Sequence, residues 1–142
     1  MRTVNELLEG KAAGVVTISP EASVYEALEL MASRDIGAVV VTRDTRVVGI
    51  MSERDYARKV ILHHKSSREI TVAEIMTDRV FYVRPSQTLD HCMTLMTDRH
   101  IRHLPVMDGE RLIGVLSIGD LVKATISEQE LVIRQLESYI MS

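Results

Sequence analysis

The chain of 142 residues has no tryptophan, one phenylalanine, one cysteine and three prolines. A single cysteine, Cys92, rules out an internal disulfide, and a reducing compartment fits. No apolar run approaches the ~18 residues that a membrane span needs. The opening "MRTVNELLEG" lacks the apolar region of a signal peptide. These absences make the cytoplasm the expected location and give no reason to expect a membrane partner. A strong excess of one charge is missing too: the net charge is −3. Dedicated nucleic-acid binders show a strong basic excess, so nucleic acid is not an expected partner. With aromatics at 4% of a chain that is 46% hydrophobic, valine, isoleucine, leucine and eight methionines must build the core. The length suffices for a core without disulfide staples, since a chain of this size buries roughly two thirds of its unfolded surface.

What the sequence does contain is a repetition. Shifted by 65 residues, Val16–Lys59 lies on Phe81–Ala124 without a gap, and ten of the 44 aligned pairs are identical. They include Pro20/Pro85, Met31/Met96, Ile36/Ile101, Gly49/Gly114, Ser52/Ser117 and Asp55/Asp120. Chance would supply roughly two or three, so the chain reads as a duplication. Val24, Ala27, Leu28 and Met31 form a helical stripe, and Leu89, Cys92, Met93 and Met96 repeat it in register. Ser23 with Glu26 predicts a capping box for the first of these helices, and Thr88 a cap for the second.

Two β-rich runs follow each helix: Ala38–Val41 and Val47–Met51, then Leu104–Met107 and Leu112–Leu116. A polar turn at Arg43–Arg46 parts the first pair, and Asp108-Gly109 is a hairpin signal in the second. Pro105 cannot donate to a ladder and is expected at a strand start or edge. Each half opens with a T-x-x-E leader, Thr3–Glu6 and Thr71–Glu74, the first set three residues farther from its repeat, around residues 11–13. Ser127 with Glu130 predicts the start of a last helix with an apolar stripe at Val132, Leu136, Tyr139 and Ile140. Each unit thus reads β-α-β-β-α. Alone it is marginal, and two packed sheet to sheet would share a core and form a pseudo-two-fold cleft.

The stretch G-x-x-S-x-x-D occurs at Gly49–Asp55 and again at Gly114–Asp120. Taken singly it is a helix cap: the serine sits at the N-cap and the aspartate at the third helical position, able to bond back. Taken as a pair it also suits an anionic ligand. A strand running into a helix start presents free N–H groups that favour phosphate. Arg54, Arg58 and Lys59 follow in one half, and Arg102, His103 and Lys123 stand in the other. A carboxylate in the same mouth is suited to a ribose diol. Both readings stay open on the residues alone.

The repeat pattern, with "IGAVVVTRDTRVVGIMSERDYARK" and "RHLPVMDGERLIGVLSIGDLVK", resembles paired CBS domains, named for cystathionine β-synthase. The resemblance covers about residues 3–126, and the whole layout is similar to small stand-alone bacterial CBS-pair proteins. It implies an α/β fold of the α+β type: two pseudo-two-fold related repeats packed sheet to sheet, with a C-terminal helix. The expected parsing is 1–62 for the first repeat with its leader, 63–70 for a linker, 71–126 for the second repeat and 127–142 for the terminal amphipathic helix.

The resemblance also implies adenine-nucleotide binding (AMP, ADP, ATP or NAD(H)), with no metal beyond nucleotide-bound magnesium. By the same resemblance Asp55 and Asp120 hold ribose hydroxyls. Ser52, Arg54 and Arg58, and Ser117 and Gly119, approach phosphate. Val80, Phe81 and Ile101 serve the Asp55 cleft, and Val15, Val16 and Ile36 the Asp120 cleft. Arg102 and His103 reach phosphates between the clefts, where the first repeat offers only Gly37 and Ala38, an open edge for an extended dinucleotide.

His63-His64, His91-Cys92 and His100/His103 lack zinc-site spacing. Neither paired carboxylates, a nucleophile triad nor a Walker loop is present, which leaves a hydrolase or transferase as the weakest reading. The expectation is a non-enzymatic nucleotide sensor, a homodimer that signals to a regulated protein partner. The alternative is a constitutive interaction scaffold whose S-x-x-D stretches are only caps.

Overall fold

The computed structural model describes residues 2–11 and 14–141. The element order is α1 (Val4–Glu9), β1 (Thr17–Ile18), α2 (Val24–Arg34), β2 (Ala38–Arg43), β3 (Arg46–Ser52) and α3 (Glu53–Lys59), then a 3₁₀ turn at Ile61–His63. After it come α4 (Val72–Ile75), α5 (Leu89–Arg99), β4 (His103–Asp108), β5 (Arg111–Ser117) and α6 (Ile118–Met141). The duplication is visible down to single dihedrals. Both stripe helices end on a left-handed residue, Asp35 and His100. Both hairpins turn through positive φ, at Asp44-Thr45 and at Gly109. Both carry a register shift at the same place, Val41/Thr42 and Val106/Met107.

The stripes pack as their periodicity predicts, with Val24, Ala27 and Met31 buried in one repeat and Leu89, Cys92 and Met96 in the other. Alternate residues of β2 divide between two faces. Val39 and Val41 join their own repeat's core, while Val40, fully buried, belongs to neither core cluster. Its counterpart Pro105 is buried as well. Both hairpins therefore have two covered faces, as sheet-to-sheet packing requires. Pro105 is the third residue of β4 and its carbonyl accepts from Val83 N–H at 3.0 Å. Its ring nitrogen faces the same side, away from β5, so the missing donor falls on the edge of the two-stranded β4–β5 sheet.

Three sequence expectations change. The single shared core is two clusters, each completed by the other half's leader. Val4 and Leu7 of α1 pack with Leu89, Leu104 and Leu116, whereas Val72 and Ile75 of α4 pack with Val24, Val39 and Met51. The crossing is fixed by matched backbone bonds: Val4 N–H to Gln87 O at 2.8 Å and Val72 N–H to Ala22 O at 2.8 Å. Chain proximity hides this, because a leader is adjacent in sequence to one repeat and seals the other.

The break expected at Ser127 is absent: α6 runs unbroken to Met141. No glycine or proline follows Gly119 to stop it, and Thr125 returns its hydroxyl to Leu121 O at 2.9 Å inside the helix. The stripe Val132, Leu136, Tyr139 and Ile140 is exposed. The Ser23/Glu26 box is half formed: Ser23 Oγ accepts from Glu26 N–H at 3.1 Å without a returning bond. The leader offset falls partly on Ala12 and Ala13, which lie outside the described residues.

Candidate functional site

Each S-x-x-D stretch makes the cap that its spacing allows. Asp55 N–H donates to Ser52 Oγ at 3.2 Å, and Ser52 N–H donates to Asp55 Oδ2 at 2.9 Å. In the second repeat Asp120 N–H donates to Ser117 Oγ at 3.1 Å and Ser117 N–H to Asp120 Oδ2 at 2.8 Å. A cap of this kind contributes about 1 kcal/mol. It also locks each carboxylate at the junction of strand and helix.

The motif glycines answer a packing need. A Cβ on Gly49 would stand 2.5 Å from Met76 Sδ, and one on Gly114 would stand 2.6 Å from Leu8 Cδ2. Met76 and Leu8 are the apolar ends of the crossed leaders, so each glycine admits the helix that seals its repeat.

The second carboxylate oxygen of Asp55 meets groups from other elements. Thr77 Oγ1 donates to Oδ1 at 3.2 Å, and Lys59 Nζ lies 3.2 Å from the same oxygen. Thr77 is itself pinned by a reciprocal backbone pair with Ile50, at 2.9 and 3.0 Å. Lys59 is tied back to Ile75 O at 2.8 Å.

Asp55 opens onto a cavity of about 690 Å³ between the repeats. One wall is apolar, with Ile50, Val80, Phe81, Ile101 and Ile118. The charged lining is mostly cationic: Arg54, Arg58, Lys59, Arg79, Arg99 and Arg102, against Glu53 and Asp55. Arg54 is braced by His100 O at 3.0 Å, and the Arg99 guanidinium stacks 4.9 Å from the Phe81 ring centre.

The seven residues expected at the Asp55 cleft line this cavity: Ser52, Arg54, Asp55, Arg58, Val80, Phe81 and Ile101; Arg102 and His103, expected between the clefts, line it too. Gly37 lines it as well. The residues expected around Asp120 do not line this cavity. Val16 and Ile36 pack at the margin of the first repeat's core, as their counterparts Phe81 and Ile101 do at the second's; Val15 is half-buried and Gly119 exposed. Ala38, expected at the edge between the clefts, is buried. Ser117 is occupied with its cap. Asp120 itself is bonded by Lys11, whose Nζ lies 2.7 Å from Oδ2 and 2.8 Å from Val115 O. Burial opposes ionisation of Asp120, yet the Lys11 hydrogen bond, the Ser117 amide and the lysine charge outweigh it and hold the carboxyl below its usual range. His103 is pushed below the ordinary imidazole value, chiefly by burial; Asp120 pulls it up, and Arg102 and Lys11 push it down.

Sequence reasoning missed Thr77, Arg79 and Arg99 in the cavity and Lys11 on Asp120. Arg79 adjoins the expected wall at Val80, and Thr77 ends the second leader, so a search for charged or hydroxyl groups beside the wall would have found them. Arg99 aligns with Arg34 under the 65-residue shift, another of the ten identities, which marks the repeat and not the cavity. Cys92 is buried and its thiol is pushed up to about 11 by desolvation, which makes it a core residue and a poor nucleophile. Among the described residues, no three His, Cys, Asp or Glu side chains converge as a metal site, and no helix is long and apolar enough to cross a membrane.

The comparisons with known proteins agree on one family. The CBS domain model matches residues 12–62 and 72–127. A mitochondrial CBS domain-containing protein of Arabidopsis thaliana is 38% identical over 123 residues, covering 83% of this chain; the chain spans 60% of that protein's length. A solved protein with CBS domains from Burkholderia ambifaria superposes with a TM-score of 0.87 at 49% identity, covering 90% of this chain and 96% of the other. A CBS domain pair solved in complex with 5′-methylthioadenosine and S-adenosyl-L-methionine has a TM-score of 0.80 over 90% of this chain and 98% of its own, at 22% identity, and shares the fold. Two repeats, each matched by the domain model, and the superposition on a solved protein of the same kind show more than a shared fold: the chain belongs to the CBS domain family.

Proposed function

We propose that this chain is a regulatory module that binds an adenine nucleotide in the Asp55 cavity and passes the binding event to a partner protein. The observation that carries the reading is the composition of that one cavity. A carboxylate fixed at a helix start, an apolar wall and six cationic side chains line a space of about 690 Å³. That volume lies within the range of small-molecule sites, about 300–1,000 Å³. The apolar wall suits a base, Asp55 Oδ1 suits a ribose diol, and the arginines suit phosphate. The fold neighbour solved with two adenosine compounds supports the ligand class. Six cations against two carboxylates favour a polyphosphate ligand, ATP or NAD(H), over a sulfonium one, with magnesium arriving on the nucleotide.

The module works by binding rather than catalysis, in a reducing, cytoplasmic setting. Ligand bridging the two repeats favours one inter-repeat angle, and regulation follows from its different affinity for the two states. A homodimer is part of the proposal. Ile133, Leu136 and Ile140 lie exposed at i, i+3 and i+7 on α6, a spacing suited to a second helix. Ile133→Glu with Leu136→Glu is expected to shift the sedimenting species from dimer to monomer, and an unchanged distribution would remove α6 from the interface.

Thermal melts with AMP, ATP and NAD(H) test the ligand. At 100 times Kd a single site stabilises by about 2.7 kcal/mol. Asp55→Asn is expected to erase that shift and leave the free protein's melt close to wild type. The competing reading, a ligand-free scaffold, is favoured by the fact that both S-x-x-D stretches do complete their caps. It predicts no shift with any nucleotide.

A further inference from the structure

We infer that Lys11 is an internal latch on the Asp120 cleft, so that this CBS pair offers one nucleotide site and keeps the second closed. The inference rests on the nucleotide reading of the Asp55 cavity and extends it to the number of sites.

The two clefts present the same acceptors: a strand carbonyl, Ile50 O or Val115 O, and a capping carboxylate, Asp55 or Asp120. In the first repeat they are met by Thr77, whose backbone N–H donates to Ile50 O at 2.9 Å and whose hydroxyl donates to Asp55 Oδ1 at 3.2 Å. Lys59 Nζ also stands 3.2 Å from that oxygen, but its shorter bond, 2.8 Å, goes to Ile75 O. In the second, one ammonium performs both tasks: Lys11 Nζ is 2.8 Å from Val115 O and 2.7 Å from Asp120 Oδ2. The chemical consequence differs. A threonine hydroxyl is neutral, and a ribose hydroxyl can take its place at equal charge. A lysine ammonium at 2.7 Å makes a charge-assisted bond that a neutral diol does not match.

Position in the chain supports the assignment. Counted from the leader threonines, Lys11 stands eight residues after Thr3, and Arg79 stands eight after Thr71. Arg79 lines the open cavity, whereas Lys11 bonds the aspartate. The same leader position thus supplies a ligand-facing cation to one cleft and an occupant to the other. Lys11 and Asp120 are partly exposed, 37% and 24% by side chain, so the latch lies at the mouth and can be removed without opening a core.

The test is calorimetric titration of ATP into wild type, Lys11→Ala and Lys11→Met, with ¹³C titration of the Asp120 carboxyl in the ligand-free proteins. Lys11→Met keeps most of the stem and removes the charge, and it replaces Lys11→Ala if the latter fails to fold. The expected result is one ATP per chain for wild type and two for Lys11→Ala, with the Asp120 midpoint moving up in both variants. Two ATP per chain in wild type overturns the latch. So does a Lys11→Ala protein that still takes one. If ATP binds none of the proteins, the nucleotide reading fails and the carboxyl titration decides alone. An unmoved midpoint then overturns the latch, and an upward move sustains Lys11 as the group that holds Asp120.

Discussion

The Asp55 and Asp120 clefts begin from the same seven-residue motif and end in different chemical states. Both aspartates close a cap on the serine three residues before them, and both motif glycines lie under the apolar end of a crossed leader. Around that shared frame the substituents diverge. Arg54 and Lys59 in the first repeat correspond to Gly119 and Ala124 in the second. Thr77 and Lys59 lie on one carboxylate, each at 3.2 Å, and Lys11 on the other at 2.7 Å. Duplication conserves what folds the unit, and the positions free of packing are where the halves acquire separate roles.

The largest expected effect lies in the crossed leaders. Ile75 of α4 is 1% exposed inside the first repeat's core, and its counterpart Leu7 of α1 is 7% exposed inside the second's. Truncating either leaves a cavity at a cost of about 2–5 kcal/mol. Ile75→Ala is expected at the upper part of that range and Leu7→Ala lower, measured by urea unfolding. Ile75→Ala should also weaken nucleotide binding, because α4 carries Thr77 to Asp55, whereas Leu7→Ala should leave binding nearly intact. Equal binding losses for the two would mean that the leaders do not separate the clefts.

The motif glycines give a finer comparison. At Gly49 an added methyl meets Met76 Sδ at 2.5 Å and the Thr77 carbonyl at 3.0 Å, and that carbonyl is bonded to Ile50 N–H. At Gly114 the neighbours are the Leu8 methyls, at 2.6 and 3.3 Å, on a side chain able to change rotamer. Overpacking costs about 1–3 kcal/mol. Gly49→Ala is expected near the top of that range and Gly114→Ala near the bottom. A reversed order in denaturant midpoints would show that Leu8 is the more rigid neighbour.

Much of this was legible in the residues. The 65-residue shift, the helical stripes and the hairpin signals are local or periodic, and they specify the repeats. The Asp55 wall was legible through the family resemblance, which placed Val80, Phe81 and Ile101 across from it. What stayed hidden depends on long-range placement. Lys11 and Asp120 are 109 residues apart, and no local pattern announces that a leader lysine will fold onto the opposite repeat. The crossing of α1 and α4 has the same cause: their capping threonines mark where helices start and say nothing of which core receives them. The unbroken α6 shows the opposite error, a plausible local cap at Ser127 overridden by a run with no residue to stop it.

The smallest expected effect concerns pH and again separates the repeats. His103 occupies the position where the first repeat has Ala38, so this position carries a titrating group in one half only; Glu53 of the first repeat lines the same cavity. Burial is the main cause that lowers its pKa below 6.5; Arg102 and Lys11 add to it and Asp120 opposes. The folded protein therefore holds His103 neutral where the unfolded chain begins to protonate. The unfolded state binds more protons, stability rises with pH in that window, and it falls as pH drops below 6.5 toward the folded value. One such group changes stability by at most about 1.4 kcal/mol per pH unit. Asp120 has the same sign lower down: its contribution is present above 3.8 and is lost as pH falls through its depressed folded value. His103→Asn should flatten the dependence between pH 6.5 and 5 while leaving the acid limb near Asp120 in place. Lys11→Ala should shrink that limb and, by removing a cation that holds His103 down, also reduce the loss near neutral pH. Parallel curves for wild type and His103→Asn in urea unfolding would show that the junction histidine is not what makes the second repeat pH-sensitive.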